Sequence, residues 1–172
     1  LLKKAQDIGE TFYGEERDIQ QGILSYDLAI ATFEQMASIA SNDNVKGAAL
    51  RKKASMLMIQ AEMLMESKNR DAAEANLKKT VDTLESIFES LEALHLLHTC
   101  VLLFQIKIYL NDLQSAAQYM KFLDNYDTDG KLKEGTEEFK ELKVSSAKLK
   151  ATFDDRAILT KEAMTHFHLD DE

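Results

Sequence analysis

Apolar residues recur along this chain every three or four positions, the period of a helix packed on one face. Ile19, Ile23, Tyr26, Ala29 or Ile30, Phe33, Met36 and Ala40 form one stripe, and Ala54, Leu57, Ala61 and Leu64 form a second. A third runs through Ala73, Leu77, Val81, Leu84 and Phe88. These stripes predict helices over roughly 19–40, 45–66 and 72–90, preceded by a short one over 2–12 built on Ala5, Ile8 and Phe12. The stretch from Leu94 to Leu110 is apolar on most faces, as expected of a helix with neighbours on several sides, and predicts a helix over about 91–110. Leu113, Ala116, Met120 and Leu123 then mark a short helix.

Polar clusters separate these segments. Gly14-Glu15-Glu16-Arg17-Asp18, Ser41-Asn42-Asp43-Asn44, Ser67 to Asp71 and Asn111-Asp112 carry turn-forming residues, with Asp71 placed to cap the helix after it. Within the helices a short phrase repeats: Ala29-x3-Phe33-x2-Met36, Ala73-x3-Leu77-x2-Thr80 and Ala116-x3-Met120-x2-Leu123, offset by 44 and 43 residues. A fixed offset of this size predicts stacked antiparallel helical hairpins, each burying its small Ala where two helices cross. From Asn125 the pattern thins. Leu132, Phe139, Leu142 and Leu149 lie in a Lys/Glu-rich stretch, and Asp154-Asp155 offers a cap for a last helix through Ile158, Leu159, Ala163 and Phe167. The expected organisation is therefore a repeat region over 1–124 and terminal capping helices over 125–172.

Composition sharpens the fold class. The 172 residues include no Pro and only six Gly, so little interrupts a helix, and the expectation is an all-α protein. A net charge of −9 argues against nucleic acid and anionic membranes, which need clustered cations. Lys52-Lys53 and Lys78-Lys79 are short and neighbour acidic residues on adjacent turns, as on a solvated face. No stretch reaches the run of about 18 apolar residues that suggests a membrane span. Cys100, the single cysteine, sits in the run Leu96 to Phe104, which implies a buried thiol in a reducing compartment, cytoplasmic or nuclear. The chain begins Leu1-Leu2, which reads as a piece of a longer protein.

Ile8-Gly9-x2-Phe12 and the three Ala-x3-apolar phrases resemble the first and second helices of tetratricopeptide-type repeats, over about residues 5–124. Units of 43 to 44 residues exceed that family's usual length of about 34. They resemble its long-helix relatives: SNAP-type adaptors of membrane fusion, large meiotic repeat scaffolds and the helical arms of proteasome-lid-like subunits. The resemblance implies a TPR-like α-solenoid segment that scaffolds an intracellular complex without catalysis and without a cofactor, holding a peptide or helix of another protein in its concave groove. The groove-facing residues expected on the repeated first helices are Arg51, Lys52, Gln60, Glu62, His98, Gln105 and Lys107.

Asn125-x-Asp127-x-Asp129-Gly130-x-Leu132 matches the first half of a calcium loop, but the twelfth position, which needs a bidentate acid, is Thr136, with Glu137 one residue beyond. His95 and His98 share a helix face that Cys100 does not, and His166-x-His168 adjoins Asp170, Asp171 and Glu172; neither grouping supplies an evident tetrahedral ligand set. Met56, Met58, Met63 and Met65 form two pairs on opposite faces of one helix, which suggests one pair in the core and one in a groove that accepts partner helices. No nucleophile elbow, phosphate-binding glycine loop or Ser/His/Asp grouping appears. The alternatives to a scaffold are thus a calcium- or metal-responsive regulatory domain and a helical oligomerisation module pairing through the apolar helix.

Overall fold

A computed structural model of the chain describes residues 19–64, 68–128 and 137–166. The helix expected over 2–12 and the His168 to Glu172 end lie outside the described residues. Six helices are seen: α1 (Ile19–Ser38), α2 (Asp43–Leu64), α3 (Lys68–Ile87), α4 (Ala93–Tyr109), α5 (Leu113–Thr128) and α6 (Glu137–His166), with a 3-10 turn at Phe88–Ser90. The described residues contain no strand. They divide into two compact units between His95 and Leu96, a division that falls within α4, whereas the sequence changes character near 124/125.

In the first unit α2 packs against both α1 and α3. Two contacts spaced by seven residues on each helix show α1 and α2 running antiparallel: Lys53 Nζ lies 3.3 Å from Glu34 Oε1, and about two turns further along α2 Gln60 reaches Asp27. Tyr26, Ala29 and Phe33 of α1, Ala54, Leu57 and Ala61 of α2, and Leu77, Val81 and Leu84 of α3 form the core. A helix with neighbours on two sides buries both of them. Met56 and Met58, two residues and about 200° apart, are accordingly both buried, so Met58 or Met56 is not spared for a groove as the pairwise reading expected. Met65 lies outside the described residues.

The reversal between α1 and α2 is shorter than its polar cluster suggests. Asn42 Oδ1 accepts from the Val45 N–H at 2.9 Å, an N-cap that places Asp43 and Asn44 already in the first turn of α2. Asn44 Oδ1 in turn accepts from the Glu92 N–H at 3.0 Å. Asp71 does not cap α3: the helix begins at Lys68, leaving Asp71 in its first turn, where a carboxylate still opposes the positive end of the helix. The break expected near residue 90 is a 3-10 turn followed by an extended Leu91. Gly47 packs tightly against this turn, since a Cβ there would lie 3.0 Å from Leu91 Cδ2 and Leu91 would have to give way.

In the second unit α4 closes in a Schellman motif. Asp112 N–H donates to Lys107 O at 2.8 Å and Asn111 N–H to Ile108 O at 3.0 Å, with Asn111 in the left-handed region at φ 58°. Asp112 then caps α5 by accepting from the Ser115 N–H at 3.2 Å. Partial burial pushes its carboxyl up, but the Ser115 hydrogen bonds and the Lys107 ammonium, 3.6 Å away, outweigh that and hold it below the usual range. Phe104, Ile108 and Ala116 form a buried cluster joined by Tyr119, Met120, Leu123, Leu149 and Phe153; the Phe104 and Phe153 rings lie 6.0 Å apart, tilted by 46°. Arg156 Nη1 donates to Ile108 O at 3.1 Å, and Lys150 pairs with Asp124. Asp154-Asp155 starts no new helix. Both are exposed in the middle of α6, because Leu149, Phe153 and Ala157 continue its inward stripe without a Gly or Pro to break it.

Ala29, Ala73 and Ala116 of the repeated phrase lie on α1, α3 and α5 and are all buried.

Candidate functional site

Leu57, Gln60 and Leu64 of α2 line a cleft of about 330 Å³, together with Ile23, Asp27 and Ile30 of α1 and Asn69, Ala73 and Asn76 of α3. All of it belongs to the first unit. Apolar side chains form part of the lining and four polar ones are set among them, the mixture typical of a ligand site.

Gln60 organises the polar part. It is only 5% exposed, and its Nε2 donates to Asp27 Oδ1 and, at 3.4 Å, to Ile23 O. Both neighbours are acceptors, which fixes the orientation of the amide. Among the described residues Gln60 Oε1 has no hydrogen-bond donor, and because no buried side-chain oxygen there lacks a partner, that oxygen is reached by solvent. Asp27 is exposed and enters no ion pair among the described residues. Asn69 and Asn76 make no side-chain hydrogen bonds among the described residues. Between them the four residues leave donors and acceptors unspent on a solvent-reached surface.

The expected groove residues are dispersed. Gln60 lines the cleft, although buried where an exposed position was expected, because α1 and α3 flank α2 on both sides. Lys52 and Glu62 are exposed but outside the cleft lining. Arg51 is half-buried: Nη1 donates to His95 O and Nη2 lies against His95 Nδ1, each at 3.3 Å, and burial lowers its pKa from the ordinary value. Arg51 thus fastens α2 to the start of α4 instead of facing a groove. In the second unit Gln105 is exposed, His98 is half-buried, and Lys107 is half-buried beside Asp112, where it supports the α4–α5 turn. Of the expected groove residues, Gln60 is one that lines the described cleft.

Sequence reasoning missed Asp27, Asn69 and Asn76. A signal was present: Asp27 interrupts the inward stripe between Ile23 and Ile30, and the two asparagines, poor helix formers, stand seven residues apart on one face of α3.

Asn125 to Thr128 belong to helix α5, so the first part of the expected calcium loop is helical backbone; Asp129 to Thr136 lie outside the described residues. Among the described residues no group of three or more His, Cys, Asp or Glu is placed to hold a metal ion. Cys100 is fully buried, its Sγ 3.7 Å from Tyr119 O, and burial pushes its thiol pKa up to about 12. No described helix is long and apolar enough to cross a membrane. No protein-family model, curated protein or solved structure matches the chain.

Proposed function

We propose that this protein is a non-enzymatic scaffold or adaptor of the TPR-like kind, which binds a segment of another protein in the cleft over α2. The observation that supports this most is the set of unspent polar groups, Asp27, Gln60, Asn69 and Asn76, on an open apolar surface held by three packed helices. A preformed surface of this kind orders few of its own side chains when a partner binds, which lowers the entropic cost of association. A regular polar lining also suits recognition of a peptide or an amphipathic helix, the modes that repeat scaffolds use.

Ala72 lines the cleft and is exposed, while Ala75 lies on the same helix outside the lining and is exposed as well. Ala72→Arg fills the cleft, and Ala75→Arg adds the same charge elsewhere. Affinity capture with quantitative mass spectrometry is expected to show a set of proteins held by the wild-type chain and the Ala75→Arg variant and lost with Ala72→Arg, at unchanged circular dichroism. If the captured set survives Ala72→Arg, the cleft is not the binding surface and the reading falls.

A further inference from the structure

We infer that the cleft selects an extended segment bearing a Lys or Arg side chain, its backbone held by Asn69 and Asn76 and its cation by Asp27. This rests on the scaffold reading above and narrows it to one ligand chemistry.

A carboxamide offers one acceptor and an NH2 donor group side by side, the complement of a peptide unit's N–H and C=O. Asn69 and Asn76 are seven residues apart on α3, which places them on nearly one face and about 10.5 Å apart along the axis. An extended chain advances about 3.3 Å per residue, so the two amides match peptide units three residues apart. A bound helix satisfies its own peptide groups internally and would leave both carboxamides without partners. The asparagines therefore favour the extended form.

The charge comes from Asp27. Gln60 Nε2 holds one carboxylate oxygen, and no Lys or Arg among the described residues neutralises the group. Lys53, the cation on the same stripe of α2, is engaged with Glu34 instead. Gln60, whose Nε2 binds Asp27, carries a further acceptor in its solvent-reached Oε1. Ile23, Ile30, Leu57 and Leu64 give the aliphatic stem of a basic side chain an apolar bed while its head reaches the acceptors. The full chain's charge of −9 attracts the same ligand at longer range.

The test uses the 172-residue chain and three fluorescein-labelled peptides of equal length in fluorescence anisotropy: alternating Val and Lys, alternating Val and Glu, and a helix-forming Ala/Lys peptide matched in charge to the first. The Val/Lys peptide is expected to bind at least about tenfold more tightly than the Val/Glu peptide. Loss of one net hydrogen bond makes Asn69→Ala and Asn76→Ala each weaken it by about three- to tenfold, and Asp27→Asn removes the preference for Lys over Glu. Preferred binding of the helical peptide, reduced by Ala72→Arg, overturns the extended mode and leaves the scaffold reading standing. Binding indifferent to Asn69→Ala and Asn76→Ala reports charge attraction away from the cleft and overturns the inference. Absence of any peptide binding sensitive to Ala72→Arg, together with a captured set that also ignores that variant, overturns both.

Discussion

Replacing the repeated alanines by leucine tests whether the phrase that recurs along the sequence marks close approaches between helices. Ala29 and Ala116 are 0% exposed and Ala73 is 6% exposed, so a leucine at the first two must push its three extra carbons into filled space. Overpacking of this sort costs about 1–3 kcal/mol. The intrinsic helix preferences of Ala and Leu differ far less than that, so propensity is not the source of the effect. For a chain of this length each kcal/mol lowers the Tm by about 2–4 °C, giving an expected drop of roughly 2–12 °C for Ala29→Leu and Ala116→Leu. Ala73 borders the cleft, where a larger side chain has room to lean, so Ala73→Leu belongs at the low end. The exposed Ala31→Leu, Ala75→Leu and Gln118→Leu serve as controls that stay within about 0.5 kcal/mol. Thermal and urea unfolding followed by circular dichroism reads all six. If Ala29→Leu or Ala116→Leu matches its control, the alanine is not at a tight crossing and the packing argument is wrong.

Gly22→Ala is expected to stabilise the chain by up to about 1 kcal/mol through helix propensity, since the added Cβ would lie 3.1 Å from only the terminal methyl of Met63, which can shift; a lower urea midpoint would show that Met63 is locked. Asn111 holds the left-handed C′ position of α4, so Asn111→Ala should lose about 1 kcal/mol while Asn111→Gly loses little, and equal losses in urea unfolding would remove the Schellman motif from the account. Cys100 has its pKa raised from 9.0 to about 12 by burial; because the unfolded thiol ionises first, its contribution to stability is complete below pH 9 and is lost as pH rises from 9 towards 12. Unfolding curves across that window should fall more steeply for wild type than for Cys100→Ala, and iodoacetamide at pH 8 should label the thiol only in urea. Parallel slopes, or rapid labelling of the native chain, would contradict the burial.

Periodicity alone determined that the described chain is helical, where most helices lie and which residues they bury, because apolar side chains spaced by one turn have only one common face to hide. Tyr26, Ala29, Phe33, Leu57, Leu77 and Leu84 were legible for that reason, and so was the turn at Asn111-Asp112, where a local left-handed residue closes one helix and an aspartate opens the next. The continuous α6 was not, since Asp154-Asp155 is a helix cap only if the preceding residues leave the helix, and packing of Leu149 and Phe153 keeps them in it. Exposure of polar side chains was also beyond the sequence: a stripe gives a helix one buried face but does not say whether a second neighbour covers another. Tertiary structure decided that α2 lies against both α1 and α3, which buried Gln60, turned Arg51 to His95 and brought Asp27, Asn69 and Asn76, from three separate turns of sequence, to one cleft.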